Sequence, residues 1–311
     1  MNAAGRACPA SYRYGAGALA RGADLEVETL WVAGGLYGNP FALERLLDLY
    51  DAEHGAKALV FNGDFHWFDI EDFKQVDDAV RAFVATRGNV ETELAAPVPG
   101  VGCGCGYPDW VDDGTVERSN RIIERLRVAA RRFPDALEGL AALPMHLVAE
   151  VGGERVAIVH GDADSLAGWG FSQEALASPM GRAAAQAAFR AANARIFASS
   201  HSCLPVLQAF PAGRAIINNG AAGMPNFRAT TFGLATRISV AAGGRAVYSA
   251  RAGELFVEAI SLRYDAAAWQ KRFAAQWPEG SDAYCSYHER ILNGPRYGLE
   301  QALRPEAALA A

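Results

Sequence analysis

Residues 26–264 of this sequence read as an α/β layer fold, and three features predict it. Short apolar segments end repeatedly in glycine or polar turns. Stretches with apolar residues at helical spacing lie between them. Hydrophobic residues make up 51% of the 311 residues and charged residues 21%, which is enough apolar surface for one sizeable core.

Residues 1–25 are rich in glycine and alanine and are expected as an irregular N-terminal arm. ETLWVAGG then predicts a buried strand that stops at a turn. Phe41, Leu43, Leu46, Leu47 and Tyr50 fall at helical spacing, and Pro40 suits the first turn of that helix. AKALVFNGD is a second strand, IEDFKQVDDAVRAF a second helix, and VATRGNVE a third strand running into a Gly-Asn turn. Such alternation implies right-handed crossovers, with ligands gathered at the carboxyl ends of the strands. Residues 97–116 form a Gly- and Pro-rich loop long enough to be a lid or binding loop. A helix follows, with Thr115 as its expected N-cap. After it come a hairpin around Gly152-Gly153, a helix from Pro179, a strand ending in SSHS, a second hairpin over 206–221, and further strands to about residue 264. Residues 265–311 are expected as a tail, helical from Ala266 to Arg304, packed on the same domain. No internal repeat or linker divides the chain.

The formal net charge of -6 argues against a dedicated nucleic-acid binder. No apolar run reaches the roughly 20 residues that span a bilayer, and the N-terminus lacks the apolar stretch of a signal peptide. Five cysteines in a chain of this length do not read as a disulfide framework, so a reducing cytoplasm is the expected compartment.

Five strand-end turns carry the chemistry. In chain order they are Gly34-Gly35-Leu36-Tyr37-Gly38-Asn39, Asn62-Gly63-Asp64, Gly88-Asn89-Val90-Glu91, His160-Gly161-Asp162 and Ser200-His201-Ser202-Cys203. This order resembles the calcineurin-like metallophosphoesterases, whose pattern is D-x-H, G-D, G-N-H-D/E, H and G-H-x-H on a two-sheet αββα sandwich. The resemblance covers roughly residues 30–225 and implies that sandwich here. It also implies a ligand role for four residues. Asp64 would take the place of the aspartate that bridges two metals, while Asn89, His160 and His201 would complete the second metal's shell. Two imidazoles and two oxygens suit manganese, iron or zinc.

The first metal site departs from the pattern. The D-x-H stretch is Gly35-Leu36-Tyr37, the last histidine of G-H-x-H is Cys203, and the histidine after Asn89 is Val90. One tight metal per chain is therefore expected. Tyr37 reads either as a packing aromatic or as a phenolate ligand, and Cys203 either as a small buried hydrophobe or as a thiolate ligand. Asn39 is a further candidate contact. His66, two residues after Asp64, is the candidate proton donor beside Asp64 itself, with a solvated surface histidine as the alternative. Asp162 and Asp164 would orient His160 or be solvated. Cys103 and Cys105 form an incomplete metal motif and read as structural. Asn218–Phe227 would pack tightly under the site.

The implied activity is hydrolysis of a small-molecule phosphoester by a metal-activated water. The alternative is a catalytically reduced binding or regulatory module that keeps the fold and one metal.

Overall fold

The computed structural model describes residues 3–304, so the outer ends of the expected arm and tail, 1–2 and 305–311, lie outside the described residues. Its strands are β1 (Leu25–Val27), β2 (Thr29–Ala33), β3 (Lys57–Asn62), β4 (Val84–Thr86), β5 (His146–Val151), β6 (Glu154–Val159), β7 (Ile196–Ser199), β8 (Val206–Phe210), β9 (Arg214–Asn218), β10 (Gly233–Ser239), β11 (Ala246–Ala252), β12 (Leu255–Leu262) and β13 (Leu303–Arg304). Its helices are α1 (Pro40–Asp51), α2 (Phe73–Arg81), α3 (Asn89–Ala95), α4 (Asp113–Ala130), α5 (Pro134–Ala142), α6 (Gln173–Ala177), α7 (Pro179–Ala192), α8 (Ala266–Gln276), α9 (Asp282–Asn293) and α10 (Leu299–Ala302).

The strands form two sheets. One runs β1-β5-β6-β7-β9-β8-β13, the other β11-β12-β10-β2-β3-β4. Alternation along each central strand decides which layer a side chain joins. In β2, Leu30 and Val32 point between the sheets, where they meet Val156 and Ile158 of β6 and Ile196 of β7. Trp31 and Ala33 point the other way, onto the helical layer that holds α1, α2, α4 and α8. Ala157 and Val159 of β6 face outward, against Phe189 of α7 and Leu19 of the arm. The result is the αββα sandwich that the sequence predicts. Each fully buried leucine or phenylalanine in these layers contributes about 1.5–3 kcal/mol.

Several local expectations change. α3 begins at Asn89, where the sequence suggests only a turn, and α5 was not anticipated. The cap of α4 is Asp112, whose carboxylate accepts from the Thr115 amide, so Thr115 sits inside the helix. The arm carries two short 3-10 turns at Ala10–Tyr12 and Ala16–Leu19, and the tail ends in β13, paired parallel to β8. Of the described residues, no helix is long and apolar enough to cross a membrane.

Candidate metal centre

The carboxyl ends of β2, β3, β4, β6 and β7 meet at one edge of the sandwich. The approach there is too close for side chains at the turns. A Cβ on Gly63 would lie 2.5 Å from the Gly88 amide nitrogen and 2.6 Å from His160 Nδ1, and its φ of +73° already favours glycine. Three turn residues with side chains also adopt left-handed backbone, namely Tyr37, Asp64 and Cys203. Such strain in non-glycine residues gathers at functional sites.

Four buried side chains converge on one point. His160 Nε2 lies 3.3 Å from Asp64 Oδ2, 3.3 Å from Asn89 Oδ1 and 3.2 Å from His201 Nδ1. The ligand atoms of Asp64, His160 and His201 all fall within 4.8 Å of one another. Each side chain is aimed by its other end. His160 Nδ1 donates to the Asn62 carbonyl at 2.8 Å, and His201 Nε2 donates to the Cys105 carbonyl at 2.9 Å. Carbonyls only accept, so both remaining ring nitrogens turn their lone pairs to the centre. Asn89 Nδ2 donates to the Cys103 carbonyl at 3.0 Å, which turns Oδ1 inward. The Val90 amide donates to Asp64 Oδ1 at 3.2 Å and leaves Oδ2 facing the others.

Acceptors crowded this way repel one another unless a proton or a cation lies among them. The titration behaviour has the same cause. Burial pulls His160 down, but the Asp64 carboxylate more than reverses this and holds it above its ordinary value. Burial pushes Asp64 up, and His160 more than offsets it, so the carboxyl sits below its ordinary value. His201 is pushed down to about 4, chiefly by burial and then by charge on His160. A metal ion would take the place of the shared proton, and the residues present fit one.

Glu91, which the sequence reading passed over, holds the two ligand turns together. Its carboxylate accepts from the Asp64 and Gly88 amides at 2.7 and 2.9 Å and from the Phe65 amide at 3.0 Å. The Gly-x-x-Glu spacing at a helix start is the signal that could have found it. The arm contributes as well. Gly5 pairs with Val101 and Tyr107 through its backbone, and Tyr12 donates to Glu93 at 2.7 Å. This fastens the 97–116 loop that supplies the Cys103 and Cys105 carbonyls. The two cysteines thus act through their backbone.

The other predicted residues fall elsewhere. Asn39 is fully buried as the N-cap of α1, accepting from the Phe41 and Ala42 amides, and is not a ligand. Asp162 accepts from the amides of Asp164, Ser165 and Gly170, so it folds its own loop and does not orient His160. Asp164 accepts from the Ala16 amide and ties down the arm. Tyr37 OH and Cys203 Sγ lie 2.8 Å apart and bond each other. Burial raises both above their ordinary values, and both side chains line the cavity beside the four converging groups as its walls. A Cβ on Gly35 would lie 2.9 Å from the Tyr37 ring and hydroxyl. The ring therefore fills the volume that an acidic ligand at position 35 would need.

His66 is also corrected. It is fully buried, stacked on Phe73 at 3.9 Å, with Asp69 and Asp77 each 3.8 Å away, and it does not line the cavity at the centre. Its chain position two residues past Asp64 carries it behind the turn. His66→Leu is expected to leave hydrolysis unchanged. Removing it takes one partner each from the buried carboxylates of Asp69 and Asp77, with an expected cost of about 3 kcal/mol that urea unfolding would measure.

The fold is that of the calcineurin-like metallophosphoesterases. Among solved structures, a metallophosphoesterase from Sphaerobacter thermophilus is 17% identical, with a TM-score of 0.56, over 86% of this chain and 100% of that one. A hypothetical protein from Pyrococcus horikoshii OT3 is 14% identical, with a TM-score of 0.57, over 86% of this chain and 99% of its own. At the level of sequence, neither a family profile nor a curated protein matches the chain.

Proposed function

We propose that this protein is a phosphoesterase that works with one divalent transition metal held by Asp64, Asn89, His160 and His201. The observation that carries this reading is the convergence of four lone pairs, each aimed by a hydrogen bond at the far end of its side chain. Two nitrogens and two oxygens suit manganese, iron or zinc. When bound, such an ion acidifies a water and polarises a phosphoryl oxygen. The chain's own contribution is to hold the four donors in place and to present the substrate from a cavity of about 240 Å³. Asp64 supplies the only carboxylate among the four ligands. The substrate would be a small phosphoester, with no nucleic acid and no membrane as partner. All five cysteines are free among the described residues, which fits the cytoplasm.

A second reading, a binding module that keeps the metal without turnover, is favoured by Tyr37 occupying the first metal's place. Chelator-stripped and metal-reloaded protein should be assayed against monoesters and diesters. Hydrolysis that appears only on reloading supports the first reading. Metal retained without hydrolysis of any ester favours the second.

A further inference from the structure

The cavity beside the four ligands has an unusual lining for a phosphate site. Apart from Asp64 and His201, no lysine, arginine, histidine, aspartate or glutamate lines it among the described residues. The nearby Arg290 spends its guanidinium on the Cys203 and Pro225 carbonyls, at 2.7 and 3.0 Å. The walls are aromatic instead. Tyr107 and Trp169 pack with ring centroids 5.9 Å apart, and Trp169 lies 5.5 Å from the His201 ring. Trp67 and Tyr287 form a second pair at 6.5 Å.

Three consequences follow. A divalent ion with the Asp64 carboxylate leaves a net single positive charge, which one singly charged ester neutralises. A doubly charged monoester would leave an unpaired negative charge in an apolar cavity, which is costly. The volume of about 240 Å³ exceeds the about 150 Å³ that accepts a benzene ring, leaving room for a phosphoryl group. Finally, with Val90 in place of a histidine and His66 outside the cavity, the cavity offers among the described residues no imidazole beyond His201 and no carboxyl group beyond Asp64 to protonate a leaving oxygen, and its phenols are weak acids. A phenol, with a pKa of about 10, can depart as its anion, whereas an alcohol, about as weak an acid as water, cannot do so readily.

Building on the phosphoesterase reading, we propose that the substrate is a singly charged phosphodiester whose leaving group is a flat aryl or heteroaryl oxide, seated between the Tyr107–Trp169 and Trp67–Tyr287 pairs. In hydrolysis the water oxygen bonds to phosphorus and the bond from phosphorus to the aryl oxygen breaks. The electron pair leaves on that oxygen, and solvent returns to it the proton that the water gave up.

The test is calorimetric binding to zinc-loaded protein, with zinc content measured on each sample. The probes are methyl phenyl phosphate, phenyl phosphate and dimethyl phosphate. Methyl phenyl phosphate should bind at least about tenfold more tightly than either of the others, as stacking of a flat ring on aromatic side chains gives. Tyr107→Leu and Tyr287→Leu should each remove most of that advantage while zinc content and dimethyl phosphate binding hold. Equal or tighter binding of phenyl phosphate or dimethyl phosphate overturns the proposal, as does no binding of any probe. Hydrolysis of p-nitrophenyl methyl phosphate is followed separately. If the binding order holds but no hydrolysis occurs, the ligand class stands and the phosphoesterase reading falls.

Discussion

Replacing His160 with alanine is expected to strip the protein of its metal. A four-ligand zinc shell is worth roughly 10–16 kcal/mol, so one ligand carries about a quarter, or about 10²–10³-fold in affinity. His160 also does more than its share geometrically, since its Nε2 is the atom from which the other three ligand atoms are 3.2–3.3 Å distant. Competition with a chelator measures the loss. Hydrolysis should disappear with the metal, while far-ultraviolet circular dichroism stays native because the fold rests on the layers above. Alanine at 160 with undiminished metal would remove His160 from the shell.

Asp64→Asn is expected to have the second largest effect. Asparagine tolerates the left-handed backbone at position 64 and keeps an oxygen for the Val90 amide, so the geometry survives. What disappears is the negative charge. Metal affinity should fall about 10–100-fold, and hydrolysis at subsaturating metal should fall in proportion. A variant with full metal and full activity would show that the carboxylate charge is not needed.

The four candidate ligand residues were legible because each follows an apolar strand, and strand ends in such sheets converge. What aims them was not legible. The groups that turn His160, His201 and Asn89 inward are the backbone carbonyls of Asn62, Cys105 and Cys103, and any residue type supplies a carbonyl. The length and the Gly- and Pro-rich composition of residues 97–116 marked them in the sequence as a lid or binding loop. The sequence could not show that this loop provides two of those carbonyls and four residues of the cavity lining, Cys105, Tyr107, Val111 and Thr115. His66 failed for a related reason. Nearness in sequence to Asp64 says nothing about direction after a left-handed residue, and here the chain turns His66 into the α2 layer. Tyr37 shows the opposite case. It matches a ligand position in sequence, but only the packing shows that its ring occupies the space a side chain at Gly35 would need.

The fold itself followed from strand periodicity more fully than from its helix starts. α3 was hidden because Gly88-Asn89 reads as a turn, and its cap is made by Glu91 reaching back to the Gly88 amide. The expected Thr115 cap moved to Asp112 because both residues can cap and the carboxylate reaches the amide three residues on.

The most direct measurement for the central claim is metal content of natively loaded protein, by elemental analysis after gel filtration in chelator-free buffer. The one proposed ligand set, with the Tyr37 ring packed where a side chain at position 35 would lie, predicts about one transition metal ion per chain. Two equally tight ions per chain, or none retained on reloading, would contradict it.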